Sequence, residues 1–220
     1  MEKRRQFLKV GFFTGISLLL SPFLSIIRIA YAKTKRIILP KGTKRESLTH
    51  KNPRNLDTRN LDTTPLKNFD TMGEVDYEVD INDWRLEVSG HVKTPLKLTY
   101  SELLTLPAIE KEVLLICPGF FANHGRWKGI SMGELLEKVQ PEQGVTHVSF
   151  SGQKGKNENQ GTFPIDHILS NKIFLAYAVN GETLPKKHGF PLRVVAADYY
   201  GFEWLKYVYK MTIDKRRNAT

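Results

Sequence analysis

The chain has a single cysteine, Cys117, among its 220 residues. A disulfide needs two thiols, so no intrachain bridge staples this fold, and Cys117 is buried packing, a nucleophile or a metal ligand. There is no C-x-x-C-H stretch, which excludes a covalently attached c-type haem, and no cysteine set for an iron–sulfur cluster. Without a second cysteine or a compact histidine pair, a four-ligand zinc site is disfavoured. Aromatic residues do not interleave with the basic stretches, which argues against nucleic acid as a partner. A steady strand–helix–strand rhythm is also missing, and with it the case for a doubly wound parallel sheet. What is present is ordinary for a globular protein: 40% hydrophobic and 25% charged residues.

The one long apolar stretch stands first. Arg4-Arg5-Gln6-Phe7-Leu8-Lys9 precedes a mostly apolar run from Val10 to Ile29, and Ala30-Tyr31-Ala32 offers the small-x-small pattern cut by a signal peptidase. The paired arginines followed by Phe-Leu-Lys resemble the twin-arginine signal of bacteria. The expectation is a signal peptide over residues 1–32, use of the twin-arginine export machinery and a periplasmic product. An uncleaved membrane anchor is the alternative, made less comfortable by Pro22 and Arg28 inside the run. Loss of residues 1–32 removes five basic residues and one acidic residue, so the net charge of +10 falls to +6. Residues 33–64 are poor in apolar groups and read as a basic extended arm or linker. Within the arm Arg54-Asn55-Leu56-Asp57-Thr58 repeats at once as Arg59-Asn60-Leu61-Asp62-Thr63, too few copies for a solenoid. Residues 65–214 then read as one domain and 215–220 as a basic tail.

Within the domain, Trp84 to Gly90 alternates apolar and polar residues, as a half-buried strand does. Thr99 or Ser101 caps a short helix through Leu106 that Pro107 stops. Val113 to Ile116 reads as a buried strand delivering Cys117 at its end, and Ser131 to Val139 as a helix with Leu135 and Leu136 inward. Further strands are expected at 145–150, 173–179, 192–197 and 207–213. The mixture predicts an α+β fold: a single mixed-sheet domain with short flanking helices. Phe120 to Arg126, rich in Gly and Asn, reads as a loop.

Cys117-Pro118-Gly119 puts a thiol at a strand end, beside a stiff residue and one that lets backbone approach a ligand. Five motifs follow in order: this one; Trp127-Lys128-Gly129; Asn180-Gly181 with Leu184-Pro185; His188-Gly189-Phe190-Pro191-Leu192-Arg193; and Tyr200-Gly201-Phe202 with Lys206. In order and spacing, over roughly Pro65 to Ile213, they resemble the sulfite-oxidase family of molybdopterin enzymes. Within it the chain resembles the exported, haem-free catalytic subunits of bacterial protein-methionine-sulfoxide reductases. Those share a twin-arginine signal and a tryptophan ten residues after the cysteine, here Trp127.

The resemblance implies a molybdenum–molybdopterin cofactor with Cys117 as the thiolate on the metal. It implies cofactor contacts from Asn68, Asp70 and Thr71, from Ser151 or Gly152, from His188 and Arg193, and from Trp204, Leu205 and Lys206. An arginine and a lysine are chemically apt for a phosphate. Asn123, His124 and Arg126 are candidate substrate-side residues alongside Cys117. The function implied is transfer of an oxygen atom and two electrons to or from sulfite, a sulfoxide, oxidised methionine in proteins or a similar small substrate. With no haem of its own, the chain would need a haem-containing partner, a membrane haem protein or cytochrome c. Two departures stand out: Glu203 lies where the family often has lysine, and Asn68 lies where sulfite-oxidising members are expected to place an arginine. They keep open a catalytically inactive molybdopterin- or ligand-binding protein, and more distantly a metal-free thiol enzyme using Cys117 with His124 or His188.

Overall fold

The computed structural model describes residues 35–155 and 159–215. The expected signal peptide and most of the basic tail lie outside the described residues. The described residues form one compact unit.

The chain opens with β1 (Ile37–Ile38) and β2 (Leu56–Asp57), which pair in parallel. In β3 (Arg85–Gly90), Leu86 and Val88 are buried while Arg85, Glu87 and Ser89 are half-exposed, the period of two that a sheet with one covered face demands. It runs antiparallel to β4 (Leu96–Thr99). Thr99 and Glu102 then form a reciprocal capping box that starts α1 (Tyr100–Leu104). α1 stops short of the expected Leu106, because Thr105 and Leu106 close tight turns back to Glu102 and Leu103.

Next, β5 (Ala108–Cys117) and β6 (Phe121–Ile130) make a long hairpin that sets Cys117 opposite Phe121. The expected loop at 120–126 is therefore mostly strand. Asn, His and Gly are weak strand formers, but cross-strand pairing and cover on both faces override that preference. Ser131 precedes α2 (Met132–Val139), which buries Met132, Leu135, Leu136 and Val139 and ends at Gln140 in a left-handed conformation. β7 (His147–Gly152) pairs with β8 (Asn159–Pro164), and it runs two residues beyond the expected end. α3 (Ile165–Leu169) leads into β9 (Ile173–Val179), β10 (Glu182–Thr183), β11 (Arg193–Ala196) and β12 (Val208–Asp214).

One five-stranded sheet runs β10-β9-β6-β5 with β11 also on β9, and the other runs β4-β3-β12-β7-β8. β12 lies parallel to β3 and antiparallel to β7, so this second sheet is mixed. The fold is α+β with short helices, as the sequence predicts. A single apolar cluster draws Trp127, Phe174 and Leu175 from the first sheet and Leu86, Phe150 and Met211 from the second. A smaller cluster joins Leu39, Leu48, Leu56 and Leu61 of the arm to Leu114, Ile116 and Ala122 of the hairpin. The arm's few leucines thus bury themselves against β5 and β6 instead of forming a core of their own.

Candidate active site

Alternation along β5 decides which way Cys117 faces. Val113 and Leu115 join the main core while Leu114 and Ile116 face the arm, so Cys117 falls on the main-core side. There it lines a cleft of about 350 Å³, within the range of ligand pockets. The turn after it carries Gly119 at φ +78, and Phe120 N–H donates to Cys117 O at 3.0 Å. Gly201 packs closely behind: a side chain there would come within 3.2 Å of Ile116 O and 3.5 Å of Cys117 Cα. Cys117 is 8% exposed, burial pushes its thiol up, and its Sγ lies 3.9 Å from Met72 Sδ. Among the described residues no cluster of three His, Cys, Asp or Glu side chains is placed to hold a metal. A metal at Cys117 would take its other ligands from a non-protein group.

The same lining carries buried cationic groups. Arg193, at the start of β11, is 5% exposed and donates to His188 O at 3.0 Å. Its guanidinium lies 5.0 Å from the Trp127 ring centre and 5.5 Å from that of Trp204. Among the described residues no carboxylate pairs with it. Asp198, five residues further on, binds Arg36 at 2.5 Å and Lys172 at 3.1 Å. Burial pulls Arg193 down to about 10. His188 is buried with Nε2 unpartnered, and burial, then Arg193 and the lysines nearby, hold it at about 4. Lys206, brought down to about 8 by burial and then by Arg193, donates to Glu74 O, to Lys187 O at 3.2 Å and to Thr71 Oγ1 at 3.4 Å. A buried guanidinium without a counter-ion beside an unsatisfied imidazole nitrogen is a site built for an anion. A phosphate-bearing cofactor with a metal at the thiol fits these residues.

Asp70, Thr71, Cys117, Asn123, His188, Arg193, Trp204, Leu205 and Lys206 are brought together on this lining. Five other expected site residues are not. Asn68 is exposed and outside the lining, while its neighbour Phe69 turns inward, 5.8 Å ring to ring from both Trp127 and His188. Ser151 faces a separate polar groove with Ser149 and Thr212, since Phe150 takes the core side of β7. Gly152 stands behind the wall, where a side chain would meet Lys206 O at 2.5 Å. His124 and Arg126 fall on the opposite face of β6 from Asn123 because strand side chains alternate. His124 is fully buried under the arm, its Nδ1 3.3 Å from Asp62 O and its pKa lowered by burial. Arg126 is exposed, 3.7 Å from Glu110.

Sequence reading also missed Arg45. From the arm it reaches Asn68 O at 3.0 Å, Asn123 Oδ1 at 3.4 Å and Asp70 Oδ2 at 3.7 Å. Asn123 in turn donates to Asp70 O at 2.8 Å and accepts from Asp70 N at 3.2 Å, fixing the wall of the cleft. No local sequence signal marks Arg45, one cation in a basic stretch. Glu203 accepts from Tyr200 N at 3.0 Å, so it caps its own turn and is not a lining residue.

Two sheets share a core beside a cleft whose lining holds both a thiol and a buried guanidinium with no carboxylate partner among the described residues, an arrangement that suits a bound anionic cofactor. The chain belongs to the family described as the oxidoreductase molybdopterin binding domain, which it matches over residues 72–220. It is 31% identical over 137 residues to the uncharacterized oxidoreductase YuiH of Bacillus subtilis, covering 62% of this chain and 68% of that one. To the protein-methionine-sulfoxide reductase catalytic subunit MsrP of Gluconobacter oxydans it is 30% identical over 145 residues, covering 59% of this chain and 46% of that one. Its fold is similar to that of the sulfane dehydrogenase SoxCD from Paracoccus pantotrophus, with a TM-score of 0.60 at 24% identity over 64% of this chain and 40% of that one. The chain thus spans less than half of the latter two proteins.

Proposed function

We propose that the chain is a periplasmic enzyme moving an oxygen atom and two electrons to or from a sulfur centre or similar small oxo compound. The observation that carries this reading is the presence of Cys117 and the uncompensated Arg193 on the lining of one cleft. When bound, a molybdenum–pterin group supplies the two-electron oxygen-transfer chemistry. The chain's residues hold and orient it. Arg193 presents a planar fork to a phosphate, Lys206 adds a point charge, and neutral His188 offers a ring nitrogen. Trp127 and Trp204 flank the guanidinium and shield it from water. Cys117 would hold the metal as a thiolate, whereas burial favours the neutral thiol in its absence. Asn123 and Thr71 bring polar atoms to the lining, and Leu115 and Phe121 exclude water.

Electrons then pass singly through a haem protein, membrane-bound or a soluble cytochrome, because the chain has no second redox motif. Its net positive charge after signal removal suits an acidic partner. The protein-methionine-sulfoxide reductase among the relatives supports a sulfoxide as substrate. A thiol-nucleophile reading is weakened by burial, which raises the Cys117 pKa where an activated nucleophile needs it lowered. Glu203, the residue that favoured an inert binder, is occupied as a cap.

Molybdenum and pterin analysis of protein exported in a host that makes the cofactor tests the reading. About one molybdenum per chain is expected in the native protein and none in a folded Cys117→Ser variant. Full metal and turnover in that variant would remove Cys117 from the site.

A further inference from the structure

We infer that the start of the arm is a membrane-surface contact: Ile37 and Ile38, set among unpaired lysines, dip into an anionic phospholipid bilayer and hold the domain against it. The inference stands apart from the oxidoreductase reading, since neither isoleucine lines the cleft. The two side chains are exposed by 60% and 53%. Successive residues of a strand point to opposite faces, so β1 leaves both of its faces largely uncovered. It pairs with β2, and no second strand pairs with it among the described residues. The pair is nevertheless held in place by its neighbours. Leu39 is buried in the cluster on β5 and β6, its N–H donates to Asp57 O at 2.9 Å, and Arg36 is bound to Asp198. Two adjacent large apolar side chains, exposed on a part so fixed, call for a covering surface.

Charge selects what covers them. From Lys33 to Arg45 the sequence has six basic residues and no acidic one. Arg36 is engaged with Asp198 and Arg45 with the cleft wall, but Lys35, Lys41 and Lys44 are exposed and pair with no carboxylate among the described residues. Two copies of the chain meeting at β1 would set these lysines against one another, and a two-residue strand offers few backbone bonds to offset the repulsion. A bilayer with anionic headgroups meets both requirements: negative charge for the lysines, and hydrocarbon just below it for the isoleucines. In the sequence the long apolar run ends at Ile29, eight positions before Ile37, so this face is the part of the folded unit nearest along the chain to that run. Among the described residues no helix is long and apolar enough to cross a bilayer, and the contact inferred is with its surface.

The test is co-sedimentation with phosphatidylcholine vesicles that contain about one-third phosphatidylglycerol or none. The protein is the chain from Lys33 onward, which keeps both apolar clusters and so the whole core. At low salt, binding to the anionic vesicles is expected to exceed binding to phosphatidylcholine alone by at least about tenfold, and to fall as added salt screens the lysines. Ile37→Ser with Ile38→Ser should lower partitioning about tenfold or more at an unchanged melting temperature. Lys35→Gln, Lys41→Gln and Lys44→Gln together should do the same with the isoleucines intact. Equal binding to the two vesicles, binding to neither, or anionic binding that survives both sets of substitutions would each overturn the contact. Self-association in sedimentation velocity that the isoleucine substitutions abolish would also overturn it, and would assign the patch to a second copy.

Discussion

Arg193 is held by two indole rings and a carbonyl, with no carboxylate to balance it among the described residues. A buried charge in that state is costly unless a ligand supplies the opposite sign. Arg193→Ala should therefore cut pterin and molybdenum content at least about tenfold on purification, and Arg193→Lys should restore only part of it by keeping the charge without the fork. Metal content unchanged in the alanine variant would take Arg193 out of the site. His188 gives a second test in cofactor-free protein. Its folded pKa of about 4 lies below the ordinary value of 6.5, so the unfolded chain binds the extra proton first as the solution is acidified. Stability from this group is complete above about pH 6.5 and is lost as pH falls toward about 4. His188→Gln should flatten that part of the melting-temperature profile, and a wild-type slope in the variant would mean that another group is responsible. The residue types of the site were legible in the sequence because thiol, guanidinium and ammonium advertise their chemistry. Their company was not: Arg193 and Asp198 look like a pair until Arg36 and Lys172 are seen on the aspartate.

At the level of the strand, β6 sorts three neighbouring candidates by period two. Asn123 reaches the cleft, while His124 and Arg126 face the arm and solvent. Asn123→Ala removes the two-way bridge to Asp70 and should lower kcat/KM by about tenfold or more, whereas Arg126→Ala should stay within about twofold of wild type. Steady-state kinetics on the loaded enzyme decides it, and the reverse ranking would mean the strand is read in the wrong register. A stretch reading Phe-Ala-Asn-His-Gly-Arg lacks the alternating hydrophobic pattern of a strand covered on one face. It is covered on both, by the core and by the arm, and Asn123 and His124 Nδ1 find their partners in distant segments, at Asp70 and Asp62. The strands at Arg85–Gly90 and Ile173–Val179 were legible because their partners are apolar and their pattern local.

Over the whole molecule, the arm is a working part of the domain. Composition denies residues 33–64 a core of their own, and four of their leucines complete a cluster on β5 and β6 while Arg45 reaches Asn123 and Asp70 beside the cleft. Leu48 is 1% exposed, and Leu48→Ala should cost about 2 to 5 kcal/mol in urea denaturation, as core truncations do. A loss under about 0.5 kcal/mol would show that the arm's packing matters little to the folded state. Sequence could not place the arm because its contacts are with residues some 60 to 80 positions away, such as His124 from Thr64 and Asn123 from Arg45.

Of the chain's three tryptophans, Trp127 and Trp204 stand 5.6 Å apart on the cleft wall with the Arg193 guanidinium over both. Two of the three indole fluorophores therefore sit beside the place where an anion would neutralise that cation, so empty and loaded protein should differ in colour and brightness without any added dye. The domain carries its own optical gauge of filling.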